Sequence, residues 1–377
     1  MLIKQTKYCY EDIAVVPAIK SCVKHREECN PFTMVFDNNP LPIFASPMST
    51  VVNERNFPMF IKNKIIPILP RNISYRIRLN HLNNGDWVAL SLQEFKESFV
   101  ERKWCYFKDF DVNVLIDTAN GHMEELHRAI YDAKINYKKY SANRTKHFKI
   151  MCGNIANPQT YYELARAGAD FVRCSIGTGC GCITSTNTSI HYPNASLISE
   201  IYEIKKKIEQ GGDVAPYIIA DGGVRGYADV IKSLALGADF VMIGSEFAKL
   251  AESAAPTYYY QNDGESIIFL HSNADIKLLG KDFEIDGEYV VDNLYKTFYG
   301  MASRQGQEDM NGKKTRTSEG TVKDFKCTSN LEKWTDNMAS YLRSAMSYTN
   351  CFNISEFNPN NVDCIVVSPM TKQSINK

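Results

Sequence analysis

The chain has 377 residues, 44% hydrophobic and 23% charged, enough for one large domain with an extensive core or two smaller ones. Lysine plus arginine and aspartate plus glutamate balance at 43 each, with no basic block. This composition excludes the broad electrostatic footprint of a nucleic-acid or acidic-membrane binder, so a bound phosphate would depend on local backbone donors.

The amino terminus lacks the apolar core of a signal peptide, and no run reaches the ~18–20 apolar residues of a membrane span. The 11 cysteines form no evenly spaced framework, which suits a reducing, cytoplasmic compartment. Most of them, Cys105 and Cys364 included, read as free buried thiols.

Eight short apolar runs of strand type follow one another: Leu41–Ala45, Ile65–Leu69, Trp87–Leu92, Val112–Ile116, Phe148–Met151, Phe171–Cys174, Tyr217–Ala220 and Phe240–Ile243. Little alternation within them predicts parallel strands buried on both faces. Between them, helical spacing marks Glu124–Ala133, Tyr162–Ala167, Leu197–Ile208 with lysines 205–207 toward solvent, and Tyr227–Ala235. The alternation predicts a closed (β/α)8 TIM barrel, with a doubly wound open sheet as the alternative.

The whole chain, 1–377, reads as one such domain with additions. A β-rich excursion covers about 256–295, with strands at Ile267–Leu270 and Tyr289–Val291. The polar, glycine-flanked stretch Gly300–Gly320 fits a mobile active-site flap near 300–325, or a plain disordered loop. Helical periodicity over Trp334–Ser347 opens a tail spanning 330–377.

Small and polar residues follow the strands. They are Ser46-Pro47-Met48, Asp117-Thr118-Ala119-Asn120-Gly121-His122, Cys152-Gly153-Asn154, Asp221-Gly222-Gly223 and Gly244-Ser245. In a barrel these loops share one face, the binding face. The last two of these glycine-bearing loops suit phosphate, whereas the Asp221 carboxylate suits ribose hydroxyls.

The sixth loop, Gly177-Thr178-Gly179-Cys180-Gly181-Cys182-Ile183-Thr184, fails as a dinucleotide fingerprint because Cys182 occupies the third glycine position. It also lacks the paired C-x2-C spacing of zinc sites. A cysteine among backbone N–H donors fits a nucleophile, with an unreactive structural thiol as the alternative.

That octapeptide resembles the catalytic loop of the IMP dehydrogenase/GMP reductase family. Tyr10-Glu11-Asp12-Ile13, Ser46-Pro47-Met48, Asp117–His122, Asp221-Gly222-Gly223-Val224-Arg225 and Tyr299-Gly300-Met301 match it in the same order, over roughly residues 8–350. The resemblance implies a TIM barrel, usually homotetrameric, in which Cys182 bonds covalently to purine C2 and hydride is exchanged with a nicotinamide cofactor. Carried over by position, Ser46, Met48, Asp221, Gly222, Gly223, Gly244 and Ser245 would bind the nucleotide. Gly300, Met301, Ala302, Arg316, Thr317, Ser318 and Gly320 would close over it. Arg71, Asp117, Thr118, Ala119, Asn120, Ile176 and Gly177 would meet the cofactor. The carbonyls of Gly177, Gly179 and Cys182 correspond to a monovalent cation site, such as one for K+. Thr184 and Glu319 are the candidates for moving protons.

Within the family, the short flap carries no Arg-Tyr dipeptide between Met301 and Glu319, and Arg316-Thr317-Ser318-Glu319-Gly320 resembles the reductase pattern. So do Phe298–Met301, Ala119-Asn120-Gly121 and Tyr192-Pro193. Roughly forty residues separate Arg71 from Val112, too few for the paired-CBS insert of most IMP dehydrogenases. Ser46-Pro47-Met48 and Asp221–Arg225 are closer to the dehydrogenase form. Ser49 replaces the usual aspartate, and Pro70-Arg71 stands where His-Lys is usual. The resemblance thus implies NADPH-dependent reduction of GMP to IMP and ammonia, with NADH or NAD as other cofactors. The alternatives are an IMP dehydrogenase without CBS domains and a catalytically silent nucleotide-binding barrel. A zinc or redox site at Cys174, Cys180 and Cys182 is a third.

Overall fold

A computed structural model describes residues 5–101, 111–140, 146–178, 183–260, 267–270, 294–311, 313, 317–318, 320–327, 329–368 and 371–372. The predicted strand at Tyr289–Val291, Cys105, and the site candidates Gly179, Cys182, Arg316 and Glu319 lie outside them.

After β1 (Ile13–Val15), eight parallel strands close into a barrel in chain order. They are β2 (Ile43–Ala45), β3 (Ile66–Leu69), β4 (Trp87–Leu90), β5 (Val112–Ile116), β6 (Phe148–Ile155), β7 (Phe171–Cys174), β8 (Tyr217–Asp221) and β9 (Phe240–Ile243). Closure pairs Ile43 with Val241 and Ala45 with Ile243. Each predicted run became one strand, so the barrel replaces the open-sheet alternative.

The apolar runs are continuous because every strand is covered twice. Phe44, Trp87, Phe171, Phe240 and Met242 fill the barrel interior, while Val172, Val241 and Ile243 face the surrounding helices. Phe36, from the segment before β2, meets Phe44, Phe171 and Phe240 at ring separations of 6.1, 6.3 and 5.7 Å and packs against this inner cluster. The principal outer helices span Glu124–Tyr140, Pro158–Ala167, Asn194–Gln210, Tyr227–Ala235 and Leu331–Tyr348.

The pentapeptide Gly-Ala-Asp-Phe-Val occurs twice, at 168–172 and 237–241, and makes the same turn into β7 and β9. Asp170 accepts from the Ile150 N–H and from Lys134 Nζ, each at 2.6 Å. Asp239 accepts from the Ile218 N–H at 2.7 Å and clamps Lys205 Nζ at 2.6 and 2.7 Å. Lys205 is therefore buried, not on the solvent side as its helix periodicity suggested; its stem crosses the helix–sheet seam to reach that carboxylate. Asp239→Asn, which strands a buried ammonium, is expected to cost about 3 kcal/mol in urea unfolding. Asp170→Asn is expected to cost about 1 kcal/mol, because its more exposed pair is solvent-screened. Equal losses would contradict this account.

Beyond the barrel, β10 (Thr257–Tyr260), β11 (Ile267–Leu270), β12 (Leu294–Tyr299) and β13 (Val322–Lys326) form an antiparallel sheet ordered β11-β10-β12-β13. Only Ile267–Leu270 among these was legible as a strand. The flap region contains the helix Arg304–Asn311, which its polarity had hidden. The tail returns as β14 (Cys364–Val366), antiparallel to β1. Cys364 there is free but only partly buried, contrary to expectation, and burial pushes its thiol up to about 11. Among the described residues, no helix is long and apolar enough to cross a membrane.

Candidate active site

Side-chain alternation decides what faces the barrel mouth. Along β7, Phe171 points inward and Val172 outward, so Arg173 points inward again, one layer above the aromatic interior. Only 7% exposed, it lies between two carboxylates. Arg173 donates to Asp117 Oδ1 at 2.9 Å and, through Nε and a terminal nitrogen, to Asp221 Oδ2 at 2.9 and 2.8 Å. Burial alone would lower the guanidinium pKa; Asp221 and then Asp117 reverse this and hold it above its ordinary value.

Two further side chains complete the network. Asn154 Nδ2 donates to Asp221 Oδ2 at 2.7 Å. Arg71 donates to the Asp117 carbonyl at 3.0 Å and lies 3.7 Å from its carboxylate. No donor among the described residues reaches Asp221 Oδ1, which leaves that oxygen to accept from a ligand hydroxyl. Arg173 was not singled out from the sequence, and Asn154 was named only as part of Cys152-Gly153-Asn154, with no role of its own. A charged residue two positions after an inward phenylalanine in a buried strand is the signal that would have found Arg173.

The glycine loops fold under close constraints. Gly223 has φ +76°, and a Cβ there would meet Asn194 Nδ2 at 2.3 Å. Asn194 Nδ2 donates to the Gly222 carbonyl at 3.1 Å, while its Oδ1 accepts from Ser175 Oγ at 3.1 Å. Asn194 thereby joins the loops after β7 and β8. At Gly177, φ is +78° and its carbonyl accepts from Ser185 Oγ at 2.7 Å. That carbonyl, proposed for a cation, therefore already has one partner. Ile176 lies between Ser175 and this turn, and Thr184 opens the short helix Thr184–Thr188 on the far side of the cysteine loop.

Ser46 is buried beside the end of β9, its N–H bonded to the Ile243 carbonyl at 2.9 Å. Met48 lies against both Gly244 and Gly300: a Cβ on the former would meet its Sδ at 3.0 Å, and one on the latter its Cε at 3.6 Å. Ser245 begins the helix Ser245–Ala248. Thr118, in the loop after β5, is tied to Asn154 near the end of β6, with the Asn154 N–H on the Thr118 carbonyl at 3.1 Å. Asn120 accepts from the His122 N–H at 3.1 Å within the loop that also holds Ala119.

Strand β12 delivers the flap. The Tyr299 carbonyl accepts from Thr50 Oγ1 at 3.2 Å, and Tyr299 Oη donates to Asp309 on the flap helix at 2.6 Å. Burial first, and then Asp309, raises the tyrosine pKa. Tyr299 pairs with Val322, and Ser318 Oγ donates to the Ala302 carbonyl at 3.4 Å and to the Gly320 carbonyl at 2.9 Å. Thr317 is exposed next to Ser318.

Among the described residues, no cluster of three or more His, Cys, Asp or Glu could hold a metal. Cys174 is fully buried and its thiol is pushed well up by that burial, the opposite of a thiolate ligand.

A family model for the IMP dehydrogenase / GMP reductase domain matches residues 88–268. The chain is 32% identical over 255 residues to a GMP reductase of Staphylococcus aureus, covering 66% of this chain and 73% of the relative. It is 28% identical over 325 residues to a GMP reductase of Staphylococcus epidermidis, covering 84% and 86%.

Proposed function

The chain belongs to the IMP dehydrogenase/GMP reductase family of purine nucleotide oxidoreductases, and within it we propose that it reduces GMP to IMP and ammonia with NADPH. The observation that carries this direction is the stretch Arg316–Gly320, which resembles the reductase pattern and whose Ser318 Oγ donates to the Ala302 carbonyl.

In this reading Gly222, Gly223, Gly244 and Ser245 offer backbone N–H groups to the phosphate. Asp221, oriented by Arg173 and Asn154, accepts from the ribose through its remaining oxygen. Met48 and Met301 hold the base. Arg71 supplies guanidinium donors beyond the one on the Asp117 carbonyl, and with Asp117, Thr118, Ala119, Asn120, Ile176 and Gly177 it makes the cofactor side of the cleft. These donors and acceptors fit a nicotinamide riboside, and the bound dinucleotide supplies a hydride.

The Cys182 thiolate adds to C2 of GMP. One proton passes to the departing 2-amino group, which leaves as ammonia while the C2–S bond remains. Glu319 and Thr184 are the residues proposed to deliver that proton. Hydride then reaches C2, the C–S bond breaks, and IMP and the thiolate are released; overall one proton is consumed.

The test mixes the protein with GMP and NADPH, and separately with IMP and NAD, following absorbance of the reduced dinucleotide. Consumption in the first mixture is expected. Production only in the second would assign a dehydrogenase, the direction favoured by Ser46-Pro47-Met48. Inactivity in both, with IMP still bound, would assign a silent nucleotide-binding barrel.

A further inference from the structure

Lys296 is fully buried, in the inward row of β12 between Leu294 and Phe298. Its Nζ donates to the carbonyls of Ala251 at 2.9 Å and Ser253 at 3.5 Å. The carbonyl between them, on Glu252, accepts from Asn56 Nδ2 at 2.9 Å. Three successive carbonyls thus turn inward and are satisfied by two side chains from elsewhere in the fold.

That turn is where the nucleotide-facing loops meet. Ser253 Oγ donates to Ala248, the last residue of the helix that begins at Ser245. Asn56 Nδ2 also donates to the Val51 carbonyl at 2.8 Å, and the Ala254 N–H reaches the same carbonyl at 3.2 Å, which fastens the loop carrying Ser46 and Met48. The Glu252 carboxylate accepts from the Leu331 N–H at 2.9 Å. Lys296 itself stands four residues before Gly300, on the strand that delivers the flap.

We infer that Lys296 is a positioning residue: its ammonium holds the Ala251–Ser253 turn so that the Met48 loop, the Ser245 helix and the Gly300 flap keep the register that grips a nucleotide. The inference rests on the reading that these loops bind a purine nucleotide.

Stability alone does not account for this charge. Burial lowers the Lys296 pKa from 10.5 to about 8, with Cys327 and Glu252 opposing the shift. A lysine with a depressed folded-state pKa disfavours folding while charged, and this penalty fades as pH rises from about 8 to 10.5. The neutral amine has fewer and weaker donors for the two carbonyls. Nucleotide grip and this lysine's contribution to stability therefore move in opposite directions above pH 8. Its sheet neighbours Thr257 and Phe325 do not titrate, and the titratable groups that face it are the Cys327 thiol and the Glu252 carboxyl, both raised chiefly by burial.

IMP tests the inference, because it is product in one direction of the reaction and substrate in the other. Calorimetric titration of the full chain is expected to show a dissociation constant that rises more steeply between about pH 8 and 9.5 in the wild type than in K296R, whose profile carries only the loss of the N1 proton from IMP itself. In K296M it should be raised about tenfold at pH 7, without a matching fall in thermal midpoint. Wild-type-like IMP binding in K296M would overturn the inference. So would a wild-type pH profile no steeper than that of K296R. Absence of IMP binding by the wild type would instead overturn the nucleotide reading itself.

Discussion

Replacing Cys182 by alanine is expected to lower kcat for GMP reduction by at least about 10³-fold while leaving IMP binding within a few-fold of wild type. In the proposed reading the remaining loops would still hold the nucleotide, but without the sulfur no bond would form at C2. The amino group would then have to leave without the covalent adduct. Steady-state kinetics and IMP calorimetry on the same preparation separate the two effects. Turnover within tenfold of wild type would remove Cys182 from the mechanism. Loss of turnover together with loss of IMP binding would mean that the substitution had disturbed the loop rather than the chemistry.

The barrel was legible because its physics is local. Parallel strands covered on both faces need uninterrupted apolar side chains, and Phe171–Cys174 or Phe240–Ile243 is recognisable without knowledge of its neighbours. The loops were legible for a related reason: Gly223 has no space for a side chain, and such positions stand out as glycine among polar residues. Long-range pairing was not legible. Strands β10, β12 and β13 are short, mixed in polarity and joined only through partners distant in sequence. Lys205 read as a surface charge, and Lys296 was not singled out, because the acceptors that bury them, Asp239 and the turn at Ala251–Ser253, come from other elements. Arg173 was read as part of a core strand, and its strand assignment was correct. What the apolar pattern concealed was that the innermost position at the mouth belongs to a cation.

Arg173→Leu is expected to destabilise the protein by about 3–5 kcal/mol, at least as much as breaking the buried pair of Lys205 and Asp239. The leucine would rest on the aromatic interior below it, so packing is not the main source of the loss. The source is the pair of carboxylates on Asp117 and Asp221, whose side chains are 12% and 13% exposed and which would face each other without the guanidinium between them. Arg173→Lys should recover only part of the loss, because one ammonium cannot reproduce three donor contacts directed at two carboxylates. Neutralising the carboxylates tests the cause. Adding Asp117→Asn and Asp221→Asn to Arg173→Leu should restore stability relative to Arg173→Leu alone, since removing the guanidinium and both carboxylates leaves only the more exposed Arg71 charge and avoids the uncompensated burial. Urea unfolding of the wild type and the three variants measures this. A triple variant no more stable than Arg173→Leu would show that the arginine acts through its shape and not its charge. Activity should not return with stability, because the triple variant lacks the Asp221 carboxylate proposed to accept from the ribose. The network would then join two properties: the same guanidinium that permits two carboxylates at the mouth also fixes the one proposed to accept from the ribose.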